Sequence, residues 1–237
     1  MLREDQNRSE NKPFRYGKVF DVNYDFFQLA TRIITEEGNE ILRLGIESIA
    51  AYAIALEYRQ FYLPENGELF VYNSDRSMIY GAYTSKNNNF ENVFSTPLIK
   101  GEKLVIEYSG SIDNSSLIIS EIIHDYRDIF NFSNETRDRN CGLNTVCSDA
   151  DPYQDQINAT SWLDMGGYIC SAALINNTSQ DLTPYVLSAW HCVEPESPGQ
   201  HNWFTFYFDH QSSSCSGNSG YYGRSITGSY LRASRNM

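Results

Sequence analysis

The chain predicts an all-β protein, and three features carry that prediction. Aromatic side chains are dense, with 17 Tyr and 13 Phe in 237 residues, and together with the β-branched residues they favour strands. Short apolar runs alternate with polar positions at a period of two. Turn-forming clusters of Gly, Pro, Asn and Asp separate these runs at the intervals of an antiparallel sandwich.

Residues 1–13 are charged and poor in apolar side chains, so composition predicts a disordered lead-in. From Phe14 the aromatic content rises. Val19, Phe20, Val22, Tyr24, Phe26 and Phe27 mark a first ordered segment. Arg32–Ile34 and Ile41–Ile46 are β-type runs around the turn at Gly38-Asn39. In Tyr52–Tyr58 the even positions are large and apolar, and the odd ones are small or charged. Pro64-Glu65-Asn66-Gly67 turns into a strand over Glu68–Tyr72, and Asn73-Ser74-Asp75 turns again into Met78–Tyr83. Lys103–Tyr108 and Ser116–Tyr126 alternate in the same way. These runs predict one β-sandwich over residues 14–127. The polar stretch 128–140 predicts a linker.

Beyond it the chemistry of the chain changes. All five cysteines lie between Cys141 and Cys215, which predicts a disulfide-bearing unit behind a cysteine-free one and an oxidising, extracytoplasmic setting. The first six residues carry no apolar core of a signal peptide. Two strands fall within 166–192. The first carries the small residues Ser171, Ala172 and Ala173 and then Leu174 and Ile175. A polar turn over Asn176–Asp181 leads to the second, where Tyr185, Leu187 and Ala189 alternate with Val186, Ser188 and Trp190. His191 stands where that strand ends, and Cys170 and Cys192 bracket the hairpin. Trp203–Phe208 is a strongly aromatic strand, read as core.

A net charge of −12 and the lack of a basic run argue against a nucleic-acid partner. No apolar run reaches the length of a membrane span. His124, His201 and His210 are scattered and read as surface or hydrogen-bonded groups. Cys141, Cys147, His191 and Cys192 lack the Cys-x₂-Cys spacing of a zinc site. No metal and no cofactor are expected.

The hairpin and its turn, Ser188-Ala189-Trp190-His191-Cys192, resemble the trypsin-like serine endopeptidases, and within them the lysyl endopeptidases. The departure is Ser188 where the family carries Thr. The first region resembles the β-rich pro-region of lysyl-endopeptidase-like precursors, through Phe61–Tyr72, Gly81-Ala82-Tyr83-Thr84, Ile99–Tyr108 and Ile122–Arg127. Cys141–Cys147 resembles the opening of the mature enzyme, and Trp203–Cys215 resembles a later strand of it. The resemblance implies that residues 141–237 form the first, His-bearing half of a chymotrypsin-type peptidase domain, an incomplete β-barrel. It implies disulfides Cys170–Cys192 and Cys147–Cys215. It leaves Cys141 for a cysteine beyond this sequence.

A serine peptidase needs a Ser nucleophile, a His to take its proton and a carboxylate to orient the imidazole. The resemblance makes His191 that base. The family's Asp strand and Gly-x-Ser-Gly turn are expected beyond residue 237. Gly217-Asn218-Ser219-Gly220 has a nucleophile-like look, yet it sits in a Ser/Gly-rich turn ahead of where the Asp belongs, and it reads as a hairpin loop. Asp181 and Asp209 are also misplaced for the triad. The implied activity is cleavage after Lys or Arg, with protein or peptide substrates. The implied partner is the C-terminal half of the peptidase, and the implied location is secreted or extracytoplasmic. These residues alone are expected to be inactive. The alternative is a non-catalytic secreted β-sandwich binding module carrying a degenerate peptidase half-domain.

Overall fold

The computed structural model describes residues 2–5, 12–133, 143–193, 200–217, 220–221 and 224–235. The chain is predominantly β, with every strand pairing antiparallel. It divides into two units, residues 17–127 and residues 1–16 with 128–237. Sequence composition starts the sandwich at Phe14, whereas the contacts divide the chain between Tyr16 and Gly17. Within the lead-in, Leu2–Asp5 form one helical turn.

Strands are numbered along the chain. β1 (Phe14–Arg15) belongs to the second unit. The first unit holds β2 (Gly17–Asp25), β3 (Thr31–Ile34), β4 (Glu40–Glu47), β5 (Ala53–Tyr62), β6 (Glu68–Asn73) and β7 (Ile79–Tyr83). It continues with β8 (Phe94–Ser95), β9 (Ile99–Lys100), β10 (Lys103–Ser109) and β11 (Ser116–Asp125). Two sheets result, in the orders β3-β4-β10-β6-β7 and β2-β11-β5-β8, with β9 also on β5.

The alternating strands do what their pattern requires. Along β10 the burial alternates, with Leu104, Ile106 and Tyr108 inside and Lys103, Val105 and Glu107 facing outward. These inner residues join Leu69 and Val71 of β6, Ile54, Leu56, Tyr58 and Phe61 of β5, and Leu117 and Ile119 of β11 in one core. Phe61 stacks on Phe94 with ring centres 4.3 Å apart, and Tyr83 meets Phe94 edge-on at 4.7 Å. Such pairs contribute about 0.5–1.5 kcal/mol each beyond area burial. After β2, Asp25 caps a short helical turn (Phe26–Leu29) by accepting the amides of Phe27 and Gln28. The turn sinks Phe26 into the core.

β5 departs from the simple alternation. All of Ala53–Tyr58 is buried, on both faces. Its small residues Ala53 and Ala55 take the positions where an exposed strand would carry polar ones. The cost is a buried acid, Glu57, which lies opposite Glu121 of β11, and Glu121 in turn lies opposite Asp21 of β2.

The second unit adds β12 (Thr160–Asp164), β13 (Tyr168–Ile175), β14 (Tyr185–Ser188), β15 (Thr205–Phe208) and β18 (Arg224–Thr227), with β16 (Gln211–Ser212) and β17 (Gly220–Tyr221) forming a small ribbon. The main sheet runs β1-β13-β12-β15-β18, with β14 also on β13. Among the described residues it does not close into a barrel. Its core cluster is small, comprising Leu163, Ala172, Cys192, Phe204, Phe206 and Phe208. Two disulfides supplement it, Cys170–Cys192 and Cys147–Cys215. The aromatic strand expected at 203–208 is β15, all four residues of which are buried.

Candidate functional site

The site is built on the β13–β14 hairpin. Ala172 pairs with Ser188, Ala173 with Leu187, Leu174 with Val186 and Ile175 with Tyr185. The small side chains of β13 allow this hairpin to lie flat against β12, where Ser161 and Trp162 face Ala172 and Ser171. Ser188 Oγ donates to the Ser171 carbonyl at 2.9 Å, which ties the end of β14 back to β13.

At Ala189 the strand gives way to a single 3₁₀ turn, Trp190–Cys192. The amide of Cys192 donates to the Ala189 carbonyl at 3.0 Å and that of Val193 to the Trp190 carbonyl at 2.9 Å. Cys192 points inward, 6% exposed, and bonds Cys170 at the middle of β13. His191, one residue before it, is therefore turned outward and is exposed. The turn holds an exposed imidazole on a covalently pinned backbone.

Sulfur and ring-nitrogen atoms of Cys170, His191 and Cys192 lie within 4.8 Å of one another. Both sulfurs are spent in the disulfide, so neither is the thiolate that a metal requires. The trio offers one metal-competent donor, His191.

Among the described residues no hydrogen bond or ion pair reaches the His191 ring. The two carboxylates weighed above, Asp181 and Asp209, are occupied elsewhere, and Glu194 and Glu196 lie outside the described residues. Asp181 accepts from the side chain of Asn177 and the amide of Thr183. The hydroxyl and amide of Thr183, with Asn177, draw its pKa down to about 2. Asp209 takes Arg224 at 2.9 Å, across from β15 to β18. Gly217 is described and Asn144 donates to its carbonyl at 3.0 Å, while Asn218 and Ser219 lie outside the described residues, as does Cys141. Cys147, buried at 3%, bonds Cys215 and so fastens the start of the unit to the loop after β16.

The other histidines have structural surroundings. His210 packs on Trp162 and Phe130, with ring centres 4.5 and 5.4 Å away. His201 meets Phe204 edge-on. In the sandwich, His124 Nδ1 lies 2.8 Å from Ser48 Oγ. This Ser–His pair is not visible in the sequence, because 76 residues separate its members. Burial and Lys18 lower the His124 pKa against the pull of Glu102. Glu102 itself accepts the Ala50 amide at 2.8 Å, and the Ser48–His124 pair ties the 48–51 corner to β11.

Residues 136–237, less than half of the chain, match the family model for the lysyl endopeptidase C-terminal domain, a match that relates this stretch to peptidases. Among solved structures, the exo-beta-1,3-galactanase from Phanerochaete chrysosporium with galactose is 12% identical, with a TM-score of 0.22. The overlap covers 45% of this chain and 29% of that one, too slight a likeness to bear on fold or chemistry.

Proposed function

We propose that residues 141–237 are the His-bearing half of a secreted serine endopeptidase domain cleaving after Lys or Arg, with residues 17–127 as its pro-region. His191 is the general base that takes the proton of a Ser nucleophile and passes it to the leaving amine. The observation that carries the reading is the placement of His191: at the mouth of a turn pinned by Cys170–Cys192, inside the segment that matches the lysyl endopeptidase domain.

A second observation supports the half-domain reading over a self-sufficient binding module. The hairpin and the far edge of the sheet expose apolar side chains: Ile175 at 44%, Leu187 at 61% and Ile226 at 60%. Ile175 and Leu187 neighbour each other on the hairpin, while Ile226 stands apart on β18. Under this reading a C-terminal half-domain covers the hairpin pair and supplies the Asp, the Ser and the oxyanion donors. The 237 residues alone hydrolyse no lysyl or arginyl amide under this reading.

The test reads the gene past the codon for Met237 and expresses the extended product. An Asp-Phe-x-Leu-Leu strand and a Gly-x-Ser-Gly turn are expected downstream. The product should cleave a lysyl amide, and His191→Ala should lower kcat by roughly 10⁴-fold or more. A stop codon with neither motif, or turnover indifferent to His191→Ala, overturns the proposal.

A further inference from the structure

The N-terminal arm does not belong to the sandwich that follows it. β1 pairs with β13, Phe14 opposite Ile169 and Arg15 opposite Tyr168. The Tyr16 amide then donates to the Gly167 carbonyl at 2.9 Å. Tyr16 is fully buried, and its hydroxyl lies 2.8 Å from each oxygen of Asp164 at the end of β12. Asp164 is itself only 5% exposed and also accepts the Gly166 amide at 3.1 Å. A phenol donating to a buried carboxylate is a charge-assisted bond, about twice as strong as a neutral one. Arg15 adds an ion pair to Asp5 of the first helical turn at 3.6 Å.

The register places the arm beside the candidate site. β12 covers one edge of β13 from Ile169 to Ala173. β14 must therefore pair along the other edge, where it covers Ala172–Ile175, and β1 must share that edge at Tyr168–Ile169. The arm and β14 lie end to end on one edge, with Cys170 and Ser171 between them. Pro13 stands where the arm would next pair, opposite Cys170, and it has no amide to donate. The arm thus stops at the cysteine that holds the His191 turn.

We infer that residues 14–16 are a latch: an intramolecular strand that docks on the β13 edge through the Tyr16–Asp164 anchor. The latch, together with Phe130 packed on Trp162 and Tyr207, keeps the sandwich piece associated with the His191 unit after a cut within residues 134–140. Tyr16 runs straight into Gly17, the first residue of the sandwich, so the arm leaves only with the sandwich. The mode is strand addition: ladder hydrogen bonds supply the docking and one side-chain anchor supplies the register. The inference concerns association and stands apart from whether His191 is catalytic.

The test places a specific protease site within residues 134–140 of the full chain, cuts it, and follows the two pieces by size exclusion and by their dissociation constant. The cut wild-type pieces should co-elute. Tyr16→Phe should weaken association by roughly 10- to 100-fold, because the buried Asp164 then loses its phenol donor. Removing residues 1–16 should weaken it further. Tyr16→Phe keeps the ring, so the fold is retained, and the circular dichroism of the uncut protein checks this; Asp164→Asn is the second anchor variant. Pieces that part at once in the wild type overturn the inference. So do pieces whose affinity is unchanged both by Tyr16→Phe and by removal of the arm.

Discussion

Removing the Cys170–Cys192 bridge tests whether the His191 turn is held by the covalent link or by packing. The perturbation is Cys170→Ala with Cys192→Ala. The bridge has a sequence separation of 22. Closing a loop of that size restricts the unfolded chain by about 3.4 kcal/mol at 25 °C. Cys192 also lies in the core cluster, 6% exposed, so deleting its sulfur adds about 1 kcal/mol. The expected loss is about 4 kcal/mol, against the 5–15 kcal/mol that typically stabilises a domain. At a urea dependence of about 1–1.5 kcal/mol per molar for a unit of this size, the unfolding midpoint falls by about 3 M. The assay is tryptophan emission in urea. It is selective, because the three tryptophans, Trp162, Trp190 and Trp203, all lie in this unit. Removing Cys147–Cys215 is the internal comparison: its separation of 68 corresponds to about 4.4 kcal/mol. A midpoint shift below about 1 M for the first variant would refute the reasoning. It would show that the hairpin pairing and the Ser188–Ser171 hydrogen bond hold the turn without the bridge.

The sandwich carries its own tests, read by circular dichroism because it contains no tryptophan. Glu121 has its pKa raised, by burial first and then by Asp21, with the hydrogen bond to Glu57 pulling the other way. A raised carboxylate contributes stability that is fully present below the ordinary Glu value and lost as pH rises through the folded value. Melting of the wild type should therefore drop, relative to Glu121→Gln, as pH rises above the ordinary Glu range, and the two should converge below it; parallel curves would remove Glu121 as the cause. Gly110 has a φ of +124°, and a Cβ there would collide with the Asn66 carbonyl. Gly110→Ala should cost about 2–4 kcal/mol, and an unchanged melt would show that the loop yields.

What the sequence disclosed follows from the range of the forces involved. Lys103–Tyr108 announces itself because one face meets a core and the period of two is written in adjacent residues; Ser116–Tyr126 shows that period only in its first half, since Ile122–Asp125 are all buried beyond a register shift. β12 is less visible: Thr160–Asp164 has only five residues, too few to display a period. Tyr52–Tyr58 was legible as a strand but not as one buried on both faces, since that depends on which strands flank it. Residues 14–16 show why composition and contacts divide the chain at different points. A two-residue strand carries no periodicity, and its anchor, Tyr16 to Asp164, spans 148 positions.

The candidate site was legible to the extent that it is local. His191, Cys192 and the hairpin back to Cys170 occupy a single stretch, so their mutual placement is constrained by chain geometry alone. The rest of a peptidase site is assembled from distant strands, and no short-range pattern specifies it. The arm adds a constraint of the same kind. β13 offers only two edges: β12 takes one, and β14 fills half of the other. The remaining half is next to Cys170, and an unpaired edge there would invite any extended chain. The protein fills it with its own residues 14–16 and anchors them by a buried phenol–carboxylate bond. The contact lies within the second unit, on the segment that continues into the sandwich, and cutting within residues 134–140 does not remove it. If the sandwich is a pro-region, its departure then requires the Tyr16–Asp164 bond to break as a separate step from proteolysis.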